Sequence, residues 1–165
     1  MEAKDWIEHL QMEAHPEGGF YKPAFRSEDA AASPSHRTER VLYTSIYFLL
    51  QSEDVSHLHR LKSDELWYFH AGSPLTVHII EKDGTYRQEK LGLDVRRGEK
   101  PQARVEKGSI FGSTVDNPGT FSLVGCMVAP GFDFADFELF TQTELITQYP
   151  QHETLIKRLA YGKLP

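Results

Sequence analysis

Between Ser56 and Gly72 the chain runs SHLHRLKSDELWYFHAG, which sets three histidines and two acids among alternating apolar residues. Imidazoles and carboxylates gathered in one short stretch can bind a metal ion or move protons. Residues two apart on an extended strand share a face, so His57 and His59 project together while Leu58 turns away. Further on, Glu65, Trp67 and Phe69 share one face, and Leu66, Tyr68 and His70 share the other. A strand that is both aromatic and titratable suits the wall of a lined cavity.

Three uses of these residues are open. A first-row metal with free coordination positions takes about three protein ligands, such as two histidines and a carboxylate. His59 and Glu65 with His57 or His70 are the candidate set, and the cofactor would be one divalent transition metal. Without a metal, a histidine oriented by a carboxylate serves as base and a tyrosine as acid. Here that means His59 with Asp64 or Glu65, and Tyr68 or Tyr47, with Arg26 or Arg60 holding a ligand phosphate or carboxylate. Third, a cavity lined by Trp67, Phe69 and Tyr47 is enough to bind a metabolite without turnover. Structural roles compete with each of these. Asp64 can cap a turn, Arg60 can pair with Glu65 or Glu138, and Trp67 can be core. His70 and His78 can be satisfied strand histidines, and Cys126 a small buried hydrophobe.

The elements that must position these groups are mostly short strands. Trp6, Ile7 and Leu10 predict an amphipathic helix over 4–13, followed by a glycine-broken segment, HPEGGFYKPAFRS. The small, polar run 27–40 predicts an exposed, mobile loop, and VLYTSIYFLL a central strand. Strands over 75–81 and 86–91 flank a Lys82-Asp83-Gly84-Thr85 hairpin turn. A charged loop (92–102) leads to short strands at 103–105 and 109–111 and a buried strand at 121–128. Beyond Ala129-Pro130-Gly131, alternating aromatics over 132–140 predict a further strand, and 144–149 and 153–159 read as helices. The pattern is an all-β sandwich or barrel with short flanking helices. It is expected as one domain over 1–165, with a helix and arm to about 27, a β-barrel over about 41–140 and helices over about 143–160.

The 165 residues carry a formal net charge of −6 and no basic stripe, which argues against nucleic acid and anionic membrane as partners. One cysteine, Cys126, permits no intrachain disulfide, as suits a reducing compartment. The charged start MEAKDWIEHL does not resemble a signal peptide, and no apolar run approaches the roughly 20 residues of a membrane helix. A cytoplasmic protein is expected.

Several stretches together resemble one family: HPEGGFY with the following FRS, TSIYFLL, HRLKSDELW with HAG, and VGCMVAPGFDFADFEL. They are similar to DUF985, or cupin-5, a family of RmlC-like cupins, over about residues 6–159. The resemblance implies a double-stranded β-helix, the cupin jelly roll, assembled as a homodimer, and a sugar-epimerase-like label. It implies that His15, Glu17 and Arg26 belong to an amino-terminal motif, and His59, Arg60, Asp64, Glu65 and Trp67 to a central one. A carboxy-terminal motif includes Cys126 and Glu138. The chain departs from the family pattern at Pro23, where a glutamate is usual, and at Tyr68, where a histidine is usual. It departs again at Val105 to Ile110, where the second cupin motif loses its proline and tryptophan. Five residues separate His59 from Glu65, more than a cupin metal motif uses. The function expected is binding of a small polar, sugar-derived metabolite in the barrel, with epimerase or isomerase chemistry on His59 as the alternative.

Overall fold

The chain forms thirteen strands, described for residues 1–165 in a computed structural model. Helix α1 (Ala3–Leu10) leads to β1 (Glu13–Ala14) and, beyond a glycine turn, to β2 (Phe20–Arg26). Strands β3 (Ala30–Ser33) and β4 (Thr38–Val41) form a hairpin. Then come β5 (Thr44–Gln51), β6 (Ser56–Arg60), β7 (Asp64–Gly72), β8 (Leu75–Ile80) and β9 (Tyr86–Leu91). The chain ends with β10 (Gln102–Val105), β11 (Ile110–Val115), β12 (Phe121–Ala129), β13 (Glu138–Leu139), α2 (Gln142–Gln148) and α3 (Glu153–Leu159).

Two antiparallel sheets face each other. One has the order β1-β2-β5-β12-β7-β10, the other β13-β6-β11-β8-β9. Consecutive strands are distributed between the sheets, as in a jelly roll. The inward residues of both sheets fuse into one core that includes Phe48, Trp67, Val77, Ile79, Phe111 and Val124. Each outer face is covered in part by helix. Trp6, Ile7 and Leu10 of α1 pack on Leu49 and Leu123, and Leu145, Ile156 and Leu159 of α2 and α3 pack on Leu58, Ile80 and Ile110. The helix ends are satisfied locally: Thr141 and Glu144 form a reciprocal capping box at α2.

Two expectations need correction. The 27–40 run is not a mobile loop but the β3–β4 hairpin, docked on the barrel. His36 is buried between the Ser33 hydroxyl (2.5 Å from Nδ1) and the Ser63 hydroxyl (3.0 Å from Nε2). Arg40 donates to both oxygens of Asp136, at 2.8 and 3.1 Å. These long-range partners are invisible in a local composition of Ala, Ser and Pro. The 132–140 alternation is not one strand either: a 3-10 turn at Phe134–Asp136 interrupts it, capped by the Asp133 carboxylate, and only Glu138–Leu139 pairs.

Candidate functional site

A pocket of about 490 Å³ opens at one end of the sandwich, between β2, β5, β6 and the segment around the 3-10 turn. Its inner end is polar. His15, Glu17, His59, Glu65 and Cys126 all line it, below walls that include Ile46, Phe48 and Phe137.

Glu17 reaches the site through backbone that only glycine permits. Gly18 sits at φ +111°, and a Cβ there would lie 2.0 Å from the Val55 carbonyl oxygen. The turn therefore presses on the start of β6, where the Glu17 carbonyl accepts from His57 N–H and its ring Nδ1, both at 2.7 Å. The His57 ring is in turn stacked on Tyr161, 3.6 Å between centroids.

With its backbone held, the Glu17 side chain bridges two elements. Oε1 accepts from the Ser56 hydroxyl at 2.8 Å, and Oε2 lies 3.1 Å from His59 Nε2. His59 Nδ1 donates to the His57 carbonyl at 2.7 Å, so Nε2 is left as the acceptor of a neutral ring. Burial lowers the His59 pKa to about 4, and burial likewise raises that of Glu17, against smaller opposing effects of His15 and Ser56. Both shifts favour an uncharged pair, a Glu17 acid lying 3.1 Å from the unprotonated His59 Nε2. His15 Nδ1 accepts from the Glu17 N–H at 3.1 Å, which leaves its Nε2 protonated when neutral. Burial also lowers the pKa of His15.

Glu65 is the second buried acid. Its pKa is pushed well up, first by burial and then by the neighbouring Glu17. Trp67 and Cys126 lie against the carboxyl, yet neither Glu65 Oε2 nor Trp67 Nε1 has a partner at hydrogen-bond geometry. Burial and the two acids push the Cys126 thiol far up, so it is not a ready thiolate nucleophile.

Of the residues singled out in the sequence, His15, Glu17, Arg26, His59 and Glu65 meet in this pocket. The others do not. Asp64 accepts from the Lys107 N–H at 2.9 Å on the surface, so it does not orient His59. Arg60 is paired with Glu138 at 2.7 Å and lies over Phe140. Trp67 is core, edge-on to Phe48 and Phe111. Tyr47 and Tyr68 both flank Gly125 on the outer sheet face, with His70 beside Tyr47.

The proposed metal set of His59, Glu65, His57 and His70 is accordingly not assembled, because strand alternation sends His70 outward and His57 is held by Glu17 and Tyr161. His15, Glu17 and His59 converge, but they are engaged with one another, with Ser56 and with the His57 carbonyl, and no three His, Cys, Asp or Glu side chains take the arrangement of a metal site. The donor groups present thus do not fit a cupin metal. The carboxylate that serves His59 is Glu17, 42 positions away, a pairing for which no sequence spacing gives a signal. Cys126 as a lining residue was also missed; its alternation with Val124 and Val128 on β12 points it to the same inner face.

The arrangement can be set beside known proteins. Residues 4–140 match the family described as Cupin superfamily (DUF985). The chain belongs to this cupin family. It is similar to a hypothetical protein from Leishmania major, with 46% identity, 98% of this chain and 99% of that one covered, and a TM-score of 0.93. A crystal structure from Shewanella oneidensis is 50% identical over 99% of both chains, with a TM-score of 0.91. Oxalate decarboxylase from Bacillus subtilis shares the fold alone: 13% identity and a TM-score of 0.57, over 92% of this chain and 37% of that one. No curated protein matches this cupin. None of its helices is long and apolar enough to cross a membrane.

Proposed function

We propose that this cupin binds a small organic metabolite in the barrel pocket and that the pocket is built to exchange protons with it. The observation that carries the reading is the Glu17–His59 contact at 3.1 Å on the wall of the pocket. A carboxylic acid beside a neutral imidazole can give a proton to a bound oxygen while the imidazole takes one from the ligand. That chemistry is of the isomerase or epimerase type, with the base role on His59 and the acid role on Glu17 rather than on Tyr68. Arg26, exposed at the mouth, is the sole Lys or Arg among the twenty lining residues and is placed to take an anionic substituent.

A pocket-filling variant tests the reading. Sugar phosphates, sugar nucleotides and oxo acids are screened by thermal shift and calorimetry against the wild type and Ile46→Trp. Binding that disappears in Ile46→Trp supports the pocket; binding untouched by it places the ligand elsewhere. For any ligand found, exchange of a carbon-bound hydrogen with D2O, lost in His59→Gln and Glu17→Gln, supports proton transfer. We further propose a cytoplasmic homodimer that uses the outer sheet face, where Leu66, Tyr68 and Met127 are half-buried. Light scattering on the purified protein measures its mass directly.

A further inference from the structure

The inner end of the pocket holds a buried acid whose protein neighbours leave its hydrogen bonding incomplete. Glu65 is only 7% exposed and lines the cavity, and its Oε2 and the neighbouring Trp67 Nε1 both lack a partner at hydrogen-bond geometry. Native folds rarely leave a buried polar atom unsatisfied, because the desolvation cost is of order 1–3 kcal/mol. No Lys or Arg faces this carboxyl: its neighbours are the Glu17 acid, the Trp67 indole and the Cys126 thiol. Two adjacent buried acids with no cation beside them cannot both ionise. Burial and the Glu17 neighbour both favour the acid form of Glu65, which has one O–H to donate. Around it the walls are greasy, with eleven of the twenty lining residues hydrophobic.

We propose that the pocket takes a largely apolar ligand bearing a carbonyl oxygen, and that the Glu65 carboxyl binds this oxygen by donating a hydrogen bond. This names the ligand class for the pocket reading above and rests on it. A pyranose with hydroxyls on every face would leave several of them against Ile46, Phe48 and Phe137, unpaired and costly. A ketone or aldehyde has a single strong acceptor and an apolar remainder, which matches one donor set in an apolar wall. It is also the group whose neighbouring C–H is acidified when the oxygen receives a hydrogen bond, so the same contact would prepare the ligand for proton transfer to His59.

Two matched probes separate this from simple greasiness: 7-oxooctanoate and octanoate, equal in chain length, both anionic and differing by C=O for CH2. An apolar pocket alone prefers octanoate. The Glu65 donor instead predicts that wild type binds 7-oxooctanoate about tenfold tighter by calorimetry, as expected for one well-placed buried hydrogen bond. Glu65→Gln keeps an N–H donor and keeps the preference. Glu65→Leu removes the donor without opening a cavity and reverses it, with circular dichroism confirming the fold of each variant. Octanoate binding as tightly as the oxo acid in wild type overturns the proposal, as does an oxo-acid preference that survives Glu65→Leu. Glucose 1-phosphate is the third probe. Should it bind, sensitive to Ile46→Trp, while the oxo acid does not, the ligand class is wrong and the pocket reading stands. If none of the three binds, both fall.

Discussion

Replacing His59 with Gln tests whether the central pair is uncharged. In the native protein the His59 pKa is about 4, against the ordinary 6.5. Between these values the unfolded chain binds a proton that the folded one refuses, so stability rises with pH across the window and falls on acidification. For one site with these two constants the penalty is close to zero at pH 7 and about 2 kcal/mol at pH 5. It approaches about 3 kcal/mol below pH 4. The raised carboxyls Glu17 and Glu65 act with the opposite sign, since the folded state keeps their protons to higher pH. A wild-type profile alone therefore mixes the two, and the difference between wild type and His59→Gln isolates the histidine. Urea unfolding at pH 7 and pH 5 is the assay. At pH 7 the variant is less stable, by about 1–3 kcal/mol, through the lost hydrogen bond to His57 and the lost contact with Glu17. At pH 5 that deficit shrinks by about 2 kcal/mol, because Gln does not titrate. A deficit that stays constant, or grows, would mean that His59 is already an imidazolium paired with a Glu17 carboxylate, and the proton inventory given for the pocket would be refuted.

Three further outcomes are expected. Gly18→Ala, at positive φ and against the Val55 carbonyl, costs more than ~1 kcal/mol in urea unfolding and weakens any pocket ligand, because it displaces Glu17; an unchanged midpoint contradicts the turn argument. Arg40→Met releases the β3–β4 hairpin from Asp136, so limited proteolysis cuts within 27–40 faster than in wild type while the barrel core resists; equal rates count against the docking. Because the donor groups do not form a metal set, protein purified without a tag should carry far less than stoichiometric transition metal by elemental analysis. Its melting temperature should not move with a chelator; one firmly bound metal per chain lost in His59→Gln would reverse that conclusion.

Much of the framework follows from the residue order. Period-two alternation places Glu65, Trp67 and Phe69 on one face of β7, and the same alternation on β12 turns Val124 and Cys126 inward. The glycine pair after Glu17 marks a turn that needs positive φ, and the single apolar stripe of α1 fixes which side it buries. These are local properties: the backbone geometry of a strand, a turn or a helix dictates them before any partner arrives.

What remained for the tertiary structure was the choice of partners, since contact across a sandwich is independent of sequence distance. Nothing near Glu17 in the chain announces Ser56 or His59, and nothing near His36 announces Ser63. Proximity along the chain offered Asp64 or Glu65 as the carboxylate for His59; folding sends Asp64 to the surface, keeps Glu65 in the pocket and brings Glu17 to within 3.1 Å of His59. The protonation states were decided there too, because an acid and an imidazole titrate normally in water and shift only when a core closes over them. Residue types and periodicity determined which side chains could reach an inner face. Packing alone determined which of them meet, and whether they meet charged or neutral.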